Sequence, residues 1–489
     1  MMLIEIQEAA KRGAEFIEVR LDFLARAIDL KRILANKPCP FVATLRRQQD
    51  GGRWAGTEEQ RRMLLRQAIV GGFDWVDLET DIAETIPRFR DVKRIVSYHN
   101  LKEMPADLEE IHAKMQAQDA DVVKIAVRAE HPKDNLRVLD LIRKGPKPTV
   151  ALCMGDMGVA SRILGAKYGA PFTYAAFNKE RGLAPGILSF EEMRKLYNYD
   201  AINADTRVFA VIGDPIEHSL SPLAHNAAFR KKGINGVYVP LRIPRSDLVE
   251  SLKLLRRVPI EGYSVTIPHK ESILDLAHDH DELSQKCRAA NTLIPQEQGK
   301  FAAFNTDGAA ALASLRNAMM DMEGGPVLSG RSTLILGAGG AARALAYTLK
   351  AEGALLTISN RTAARGVQLA QELDCRHVDW SGRNSVSTEV VINCTPIGMH
   401  PNLDETPLHH SALRPGLVVM DVVYNPETTL LVRQARERGC RVVTGVDMFV
   451  RQAAEQFRYF TGEDAPIDDM KRVVSRYLSP RLHRDEEAA

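Results

Sequence analysis

From residue 16 to about residue 177, short apolar runs rich in β-branched and aromatic residues alternate with longer helical stretches. The runs lie at 16–20, 41–45, 75–78, 94–98, 122–127, 149–153 and 172–176. Alternation at this spacing predicts parallel βα units. Seven strands in this length predict a (β/α)8 barrel with one strand missing from the count. A polar, turn-rich stretch at 198–206 then reads as a linker. Beyond it a strand at 207–212 leads a second α/β region, and an apolar strand at 332–336 runs into a glycine-rich turn. Further strands are expected at 355–359, 390–393, 418–422 and 441–443.

The alternation also sorts the polar residues. Side chains two apart on a strand share a face. Glu18 therefore pairs with Arg20, Thr44 with Arg46, Asp77 with Glu79, and Ser97 with His99, while Lys124 sides with Val122 and Ala126. In a barrel the apolar set meets the helices and the charged set converges inside, near the C-terminal strand ends. A single such pair reads best as a structural ion pair. Glu, Arg, His and Lys on separate strands read best as a site.

Composition narrows the class. The chain of 489 residues is too long for one core, and 45% hydrophobic with 26% charged residues is ordinary globular protein. A net charge of +2 gives no case for nucleic acid or an anionic membrane. Six scattered cysteines fit a reducing compartment rather than a disulfide scaffold. With no apolar stretch of spanning length and no signal-peptide pattern at the start, the expected location is the cytoplasm. His278-Asp279-His280-Asp281-Glu282 reads as an exposed helix end and His409-His410 as a turn, so no metal is expected.

A lysine inside an apolar strand suggests a Schiff base. Burial and nearby Arg20 and Arg46 would keep the Lys124 amine neutral. An iminium acidifies the adjacent C–H; His99 is the natural acid/base, oriented by Asp50, and Arg162 can clamp a carboxylate. Glu18-Val19-Arg20, Ala43-Thr44-Leu45-Arg46, Ser97-Tyr98-His99, Val123-Lys124-Ile125-Ala126 and Ala160-Ser161-Arg162 together resemble the type I 3-dehydroquinate dehydratases, over residues 1–198. The resemblance implies a (β/α)8 barrel, an imine on Lys124, His99 as general acid/base, and Glu18, Arg20, Arg46, Asp50 and Arg162 around the substrate. Three departures stand out. The chain opens inside a helix, at 1–10, where the family has a strand, so the strands at 16 and 172 are expected to face each other unpaired. The family's Ser-Ala-Pro-Gly-Gln closing loop is Leu183-Ala184-Pro185-Gly186-Ile187, without its two polar contacts. Asp50-Gly51-Gly52 replaces Glu-Gly-Gly.

In the second half, Ser221 reads as an N-cap and Pro222 as the first helical residue. The hydroxyls of Ser219 and Ser221 at that helix start form a carboxylate site. Gly337, Gly339 and Ala342 fit a dinucleotide fingerprint. The next strand ends in Asn360-Arg361-Thr362 with Arg365 one turn on, which suits the 2′-phosphate of NADP rather than NAD. Ser264-Val265-Thr266-Ile267-Pro268-His269-Lys270, Ala290-Asn291-Thr292 and Asn305-Thr306-Asp307-Gly308 in series resemble the shikimate dehydrogenases, over 207–478. So do Asn393-Cys394-Thr395-Pro396-Ile397-Gly398-Met399, Asp421-Val422-Val423-Tyr424 and the segment from Gly445 to Gln452. The resemblance implies Lys270 and Asp307 as the catalytic pair, with Ser219, Ser221, Thr266, Asn291, Tyr424 and Gln452 at the substrate. The cofactor set is Gly337, Ala338, Gly339, Gly340, Ala341, Asn360, Arg361, Thr362, Arg365, Met399 and Gly445. The expected domains are 1–198; 207–306, completed by 445–478; and 307–444, a Rossmann domain.

The combined expectation is dehydration of 3-dehydroquinate followed by NADPH-dependent reduction of 3-dehydroshikimate. The alternative is a quinate/shikimate dehydrogenase whose barrel is an impaired scaffold. Oligomeric state stays open.

Overall fold

The computed structural model describes residues 2–24, 29–35, 37–178, 180, 186–322 and 324–478. Leu183, Ala184 and Pro185 of the closing loop and the acidic tail lie outside the described residues. The chain forms two compact units: Met1–Thr206 with Leu241–Ile243 and Glu250–Val258, and the remainder.

The first unit holds a six-stranded parallel sheet in sequential order: β1 Ile17–Arg20, β2 Phe41–Thr44, β3 Trp75–Glu79, β4 Lys93–Asn100, β5 Val122–Arg128 and β6 Thr149–Met154. The strands are buried on both sides, as parallel strands covered by helices must be. The helices between them carry ordinary end signals. Glu58–Gly71 starts in a Thr57/Gln60 capping box and stops at Gly72, whose φ of 114° only glycine adopts readily. The sheet curls as a half-barrel. Among the described residues, β1 bonds only β2 and β6 only β5.

The expected strand at 172–176 does not join the sheet; Ala176 makes a single bridge to Ser189. Its aromatic residues pack instead of pairing. Phe172 meets Phe16 edge-on at 5.3 Å, Trp75 at 6.3 Å and Tyr174 at 5.8 Å. The two expected edges therefore do face each other, and ring contacts replace the backbone ladder. The opening stretch is helical as read, Met2–Lys11.

The second unit holds two sheets. One, in the order β10-β12-β11-β9-β7-β8, comprises β7 Arg207–Gly213, β8 Gly236–Arg242, β9 Ile260–Val265, β10 Asp279–His280, β11 Thr292–Pro295 and β12 Phe301–Phe304. The other is wholly parallel: β13 Ser332–Leu336, β14 Leu355–Ser359, β15 Arg376–His377, β16 Val390–Asn393, β17 Val418–Asp421 and β18 Arg441–Val443, in the order β15-β14-β13-β16-β17-β18. That order reverses direction at β13, and ligands of such sheets lie outside the strand ends at this switch. The Gly445–Thr461 helix leaves β18 and returns to the first of these sheets. There Phe449, Val450, Phe457 and Phe460 pack with Phe209 and Phe229. Each such buried side chain contributes about 1.5–3 kcal/mol.

Candidate active sites

In the first unit the inward alternation brings together the charges read from the sequence, with partners that it did not assign. Lys124 is buried on β5, and its Nζ donates to Asp77 Oδ2 at 2.9 Å, with Glu18 Oε1 at 3.7 Å. Arg46 is equally buried and reaches Asp77 Oδ2 at 2.8 Å, Glu79 Oε1 at 2.9 Å and Ser97 Oγ at 2.9 Å. Ser97 Oγ in turn donates to Asp77 Oδ1 at 2.6 Å, and Thr44 Oγ1 to Glu18 Oε1 at 2.8 Å. Although burial favours its neutral form, Asp77 is held below the usual carboxylate range by the Arg46 and Lys124 cations. The lysine thus sits between carboxylates, not in the purely cationic setting expected from Arg20 and Arg46.

Arg20 faces a different partner: its Nε and Nη2 form a fork on Asp22 at 2.9 and 2.8 Å. Asp50 does not orient His99. Its carboxylate accepts from Arg47 Nε at 2.6 Å, a local turn pairing three residues apart. Asp77, Glu79, Ser97 and Tyr174 belong to no motif that marks them as site residues, yet they sit beside Lys124 and Arg46. For Asp77 the shared face with Glu79 was the available signal.

His99 has its pKa pulled well below the ordinary histidine value by burial first, then by the Arg46 and Lys124 cations. It is therefore a neutral base. Its Nδ1 is buried without a hydrogen-bond partner, as is Nε of Arg162. Burial lowers the Arg162 pKa to about 10, still cationic near neutrality. Buried polar atoms are normally satisfied, so each of these two nitrogens is free to take a further hydrogen-bond partner.

In the second unit, Lys270 Nζ donates to Asp307 Oδ2. Asp307 starts a helix, Asp307–Met319, and is buried. Its other oxygen accepts from Asn291 Nδ2 at 2.9 Å. Asn291 Nδ2 also reaches Thr306 Oγ1 at 2.9 Å and Gln452 Oε1 at 3.3 Å. The returning helix therefore places Gln452 at the Lys270–Asp307 centre, and Tyr424 packs against Phe449 of the same helix, with ring centroids 4.9 Å apart and the planes tilted by 37°. Thr266 follows β9 and holds the turn by accepting from His269 N at 2.9 Å through its backbone oxygen. Ser221 is the first helical residue, not the N-cap, which is Leu220. The hydroxyl that reaches the helix start is Ser219 Oγ, accepting from Ser221 N at 3.3 Å.

The residues expected to hold a cofactor follow the ends of β13, β14, β16 and β18. Gly337 has φ of 120°, and a Cβ there would lie 3.0 Å from the Cys394 carbonyl oxygen. Ala338 is buried. Gly339 caps the Gly340–Ala351 helix with no side chain over its free N–H groups, and a Cβ on Gly339 would meet no atom within 4 Å. Open space at an uncapped helix start fits a pyrophosphate. A Cβ on Gly340 would lie 3.2 Å from Cβ of Lys270, so the helix start, continuing through Ala341, borders the Lys270 centre. Asn360 Nδ2 donates to Thr362 O at 2.8 Å, shaping the turn that presents Arg361 to solvent. Arg365 is engaged elsewhere: Nη2 donates to Glu271 Oε1 at 2.9 Å. Met399 is exposed, and Gly445 packs against the Val423 carbonyl, where a Cβ would come within 2.2 Å. No helix among the described residues is long and apolar enough to cross a membrane.

Three family models match the chain: type I 3-dehydroquinase over residues 1–204, the shikimate dehydrogenase substrate binding domain over 211–293, and the shikimate 5′-dehydrogenase C-terminal domain over 445–474. A bifunctional 3-dehydroquinate dehydratase/shikimate dehydrogenase, chloroplastic, of Arabidopsis thaliana is 36% identical over 97% of this chain and 82% of its own length. A shikimate dehydrogenase (NADP(+)) of Methanosarcina barkeri is 38% identical over 56% of this chain and 99% of its own. Among solved structures, a shikimate 5-dehydrogenase of Thermus thermophilus in complex with NADP(H) and shikimate is 32% identical, with a TM-score of 0.51 over 56% of this chain and all of its own.

Proposed function

The chain belongs to the family of bifunctional 3-dehydroquinate dehydratase/shikimate dehydrogenases, and we propose that its two units catalyse those two reactions in series. The first unit removes water from 3-dehydroquinate. The second reduces the product, 3-dehydroshikimate, to shikimate with NADPH. The finer assignment makes 207–306 with 445–478 the substrate domain and 307–444 the cofactor domain.

In the dehydratase, Lys124 gives up one ammonium proton and attacks the ring ketone as the amine; water leaves, and one proton returns to the nitrogen, giving the iminium. His99, kept neutral by burial, takes a proton from the carbon next to the iminium. The same imidazolium then protonates the leaving hydroxyl, and hydrolysis of the imine frees Lys124. Arg162 holds the substrate carboxylate. Arg46, locked by Asp77 and Glu79, fixes the lattice around the lysine and faces the substrate as charge rather than as a mobile clamp.

In the dehydrogenase, NADPH when bound supplies the hydride. Gly337 to Ala341 would hold its pyrophosphate, and Arg361 with Arg365 its 2′-phosphate. Lys270 gives a proton to the carbonyl oxygen as charge develops there, and Asp307 orients Lys270 through its hydrogen bond and stays a carboxylate throughout. Asn291, tied to Asp307 and Gln452, keeps that pair registered on the substrate hydroxyls.

The observation that carries the first reaction is the buried Lys124 and the neutral, unsatisfied His99 in one polar lattice. Borohydride reduction in the presence of 3-dehydroquinate tests it: a stable adduct on Lys124 is expected, and its absence in active protein would refute the imine. The quinate dehydrogenase alternative with a scaffolding barrel is not favoured, since the relative spanning both units is bifunctional and the dehydrogenase relative is named for NADP(+). All six cysteines are free, which suits a reducing compartment such as the cytoplasm.

A further inference from the structure

We propose that Tyr174 is a further active-site residue of the dehydratase, the aromatic face that carries the positive charge of Lys124 when its amine becomes an iminium. The proposal rests on the reading of Lys124 as the imine-forming residue. Lys124 Nζ lies 3.9 Å from the centroid of the Tyr174 ring. Two carboxylate oxygens flank the same nitrogen, Asp77 at 2.9 Å and Glu18 at 3.7 Å.

The chemistry of condensation changes what those neighbours can do. An ammonium nitrogen carries three protons. On condensation two of them leave with the ketone oxygen as water, and the nitrogen keeps one proton and the charge. One N–H satisfies one carboxylate oxygen. The rest of the charge lies along C=N, which offers no further donor. A π face is the neighbour that stabilises such a cation without a hydrogen bond.

The ring is placed for this by packing alone. Phe172 meets it edge-on, and Phe172 is itself wedged between Phe16 and Trp75. The Tyr174 hydroxyl oxygen is buried and makes no hydrogen bond. Burial, with Glu18 and Asp77 adding to it, keeps the phenol protonated, so it brings no negative charge to the lysine. The hydroxyl neither holds the ring nor pairs with Lys124, which leaves the face as the part that acts.

The test compares Tyr174→Phe and Tyr174→Leu with the unaltered chain, following borohydride-trapped adduct on Lys124, kcat and KM for 3-dehydroquinate. Tyr174→Phe should trap within about two-fold of the unaltered chain. Tyr174→Leu should lose on the order of ten-fold in trapping rate and in kcat, as expected for a desolvated cation–π contact, with KM less affected. In case leucine unfolds the unit, phenylalanines of increasing ring fluorination at position 174 keep the shape and drain the π face. Trapping should fall stepwise with fluorination. Equal trapping by Tyr174→Leu, a flat fluorination series, or an equal loss in Tyr174→Phe would overturn the proposal. An unaltered chain that dehydrates substrate yet shows no adduct on Lys124 would instead overturn the imine reading beneath it.

Discussion

Arg365 on the helix after β14 donates to Glu271, the residue that follows Lys270, at 2.9 Å. The arginine expected to grip a 2′-phosphate is thus occupied by a carboxylate from the segment carrying Lys270. The two anions compete for one guanidinium. Glu271→Gln should free Arg365 and tighten NADP+ by about two- to five-fold, the range of one exposed ion pair, with NAD+ unchanged. Fluorescence titration of both cofactors measures this. Equal gains for both would show that Glu271 acts on something other than the 2′-phosphate.

Arg361 and Arg365 should set cofactor choice. Charge-assisted hydrogen bonds of this kind contribute about 1.5–3 kcal/mol each. Arg361→Ala with Arg365→Ala should weaken NADP+ by two orders of magnitude or more and leave NAD+ near its starting affinity. An unchanged preference in the double variant removes the arginines from the 2′-phosphate site.

Two glycines in one turn should respond in opposite ways. Gly337→Ala forces a side chain into a left-handed backbone against the Cys394 carbonyl, so it should lower the melting temperature of the second unit. Gly339→Ala meets no protein atom within 4 Å, so the fold should hold while NADP+ binding is lost. Calorimetry with and without NADP+ separates the two. Normal cofactor affinity in Gly339→Ala would place the pyrophosphate elsewhere.

Lys124→Ala should abolish dehydration and leave NADP+-dependent shikimate oxidation intact, because Lys124 and Lys270 belong to separately packed units. Separate assays on one preparation check this, and a folded variant lacking both activities would contradict independent sites.

His225 gives the second unit an acid lability. The ring is buried, stacked on Tyr238 at 4.4 Å and 6°, and burial pulls its pKa to about 3. The unfolded chain binds a proton near pH 6.5 while the native state refuses it down to about 3. Native stability therefore falls as pH drops through that window, by up to about 1.4 kcal/mol per pH unit from this group, and is untouched above it. His225→Phe keeps the stack and should flatten the pH dependence of urea unfolding between pH 6 and 4 by on the order of that slope. Parallel curves for the two proteins would mean that His225 titrates normally.

What the sequence revealed was set by short-range periodicity. Alternation alone put Lys124, Arg46, Ser97 and His99 on inward faces, and the strand–glycine–helix order located Gly337 and Gly339. What it missed were choices among partners. Arg20 hydrogen-bonds Asp22, two residues away, and Asp50 accepts from Arg47, three away, so both side chains are anchored locally rather than on the lysine or His99. The Arg365–Glu271 pair spans 94 residues and follows no spacing rule. The run at 172–176 has strand-like residues, but its rings find Phe16 and Trp75 more readily than its backbone finds a ladder. Ser221 has the right chemistry for a cap, yet Ser219 Oγ arrives first.

The returning helix, Gly445–Thr461, sets a timetable for synthesis. Arg207 opens the second unit, and its Nη2 donates to the Phe460 carbonyl at 3.0 Å, 253 residues later. Phe209 and Phe229 likewise await Phe457 and Phe460. At roughly 5–20 residues per second, the ribosome holds that apolar surface unfinished for about 10–50 s after β7 emerges. The first unit closes its contacts early in translation, so the newborn chain spends most of this interval as a folded N-terminal body trailing a sheet without its covering helix.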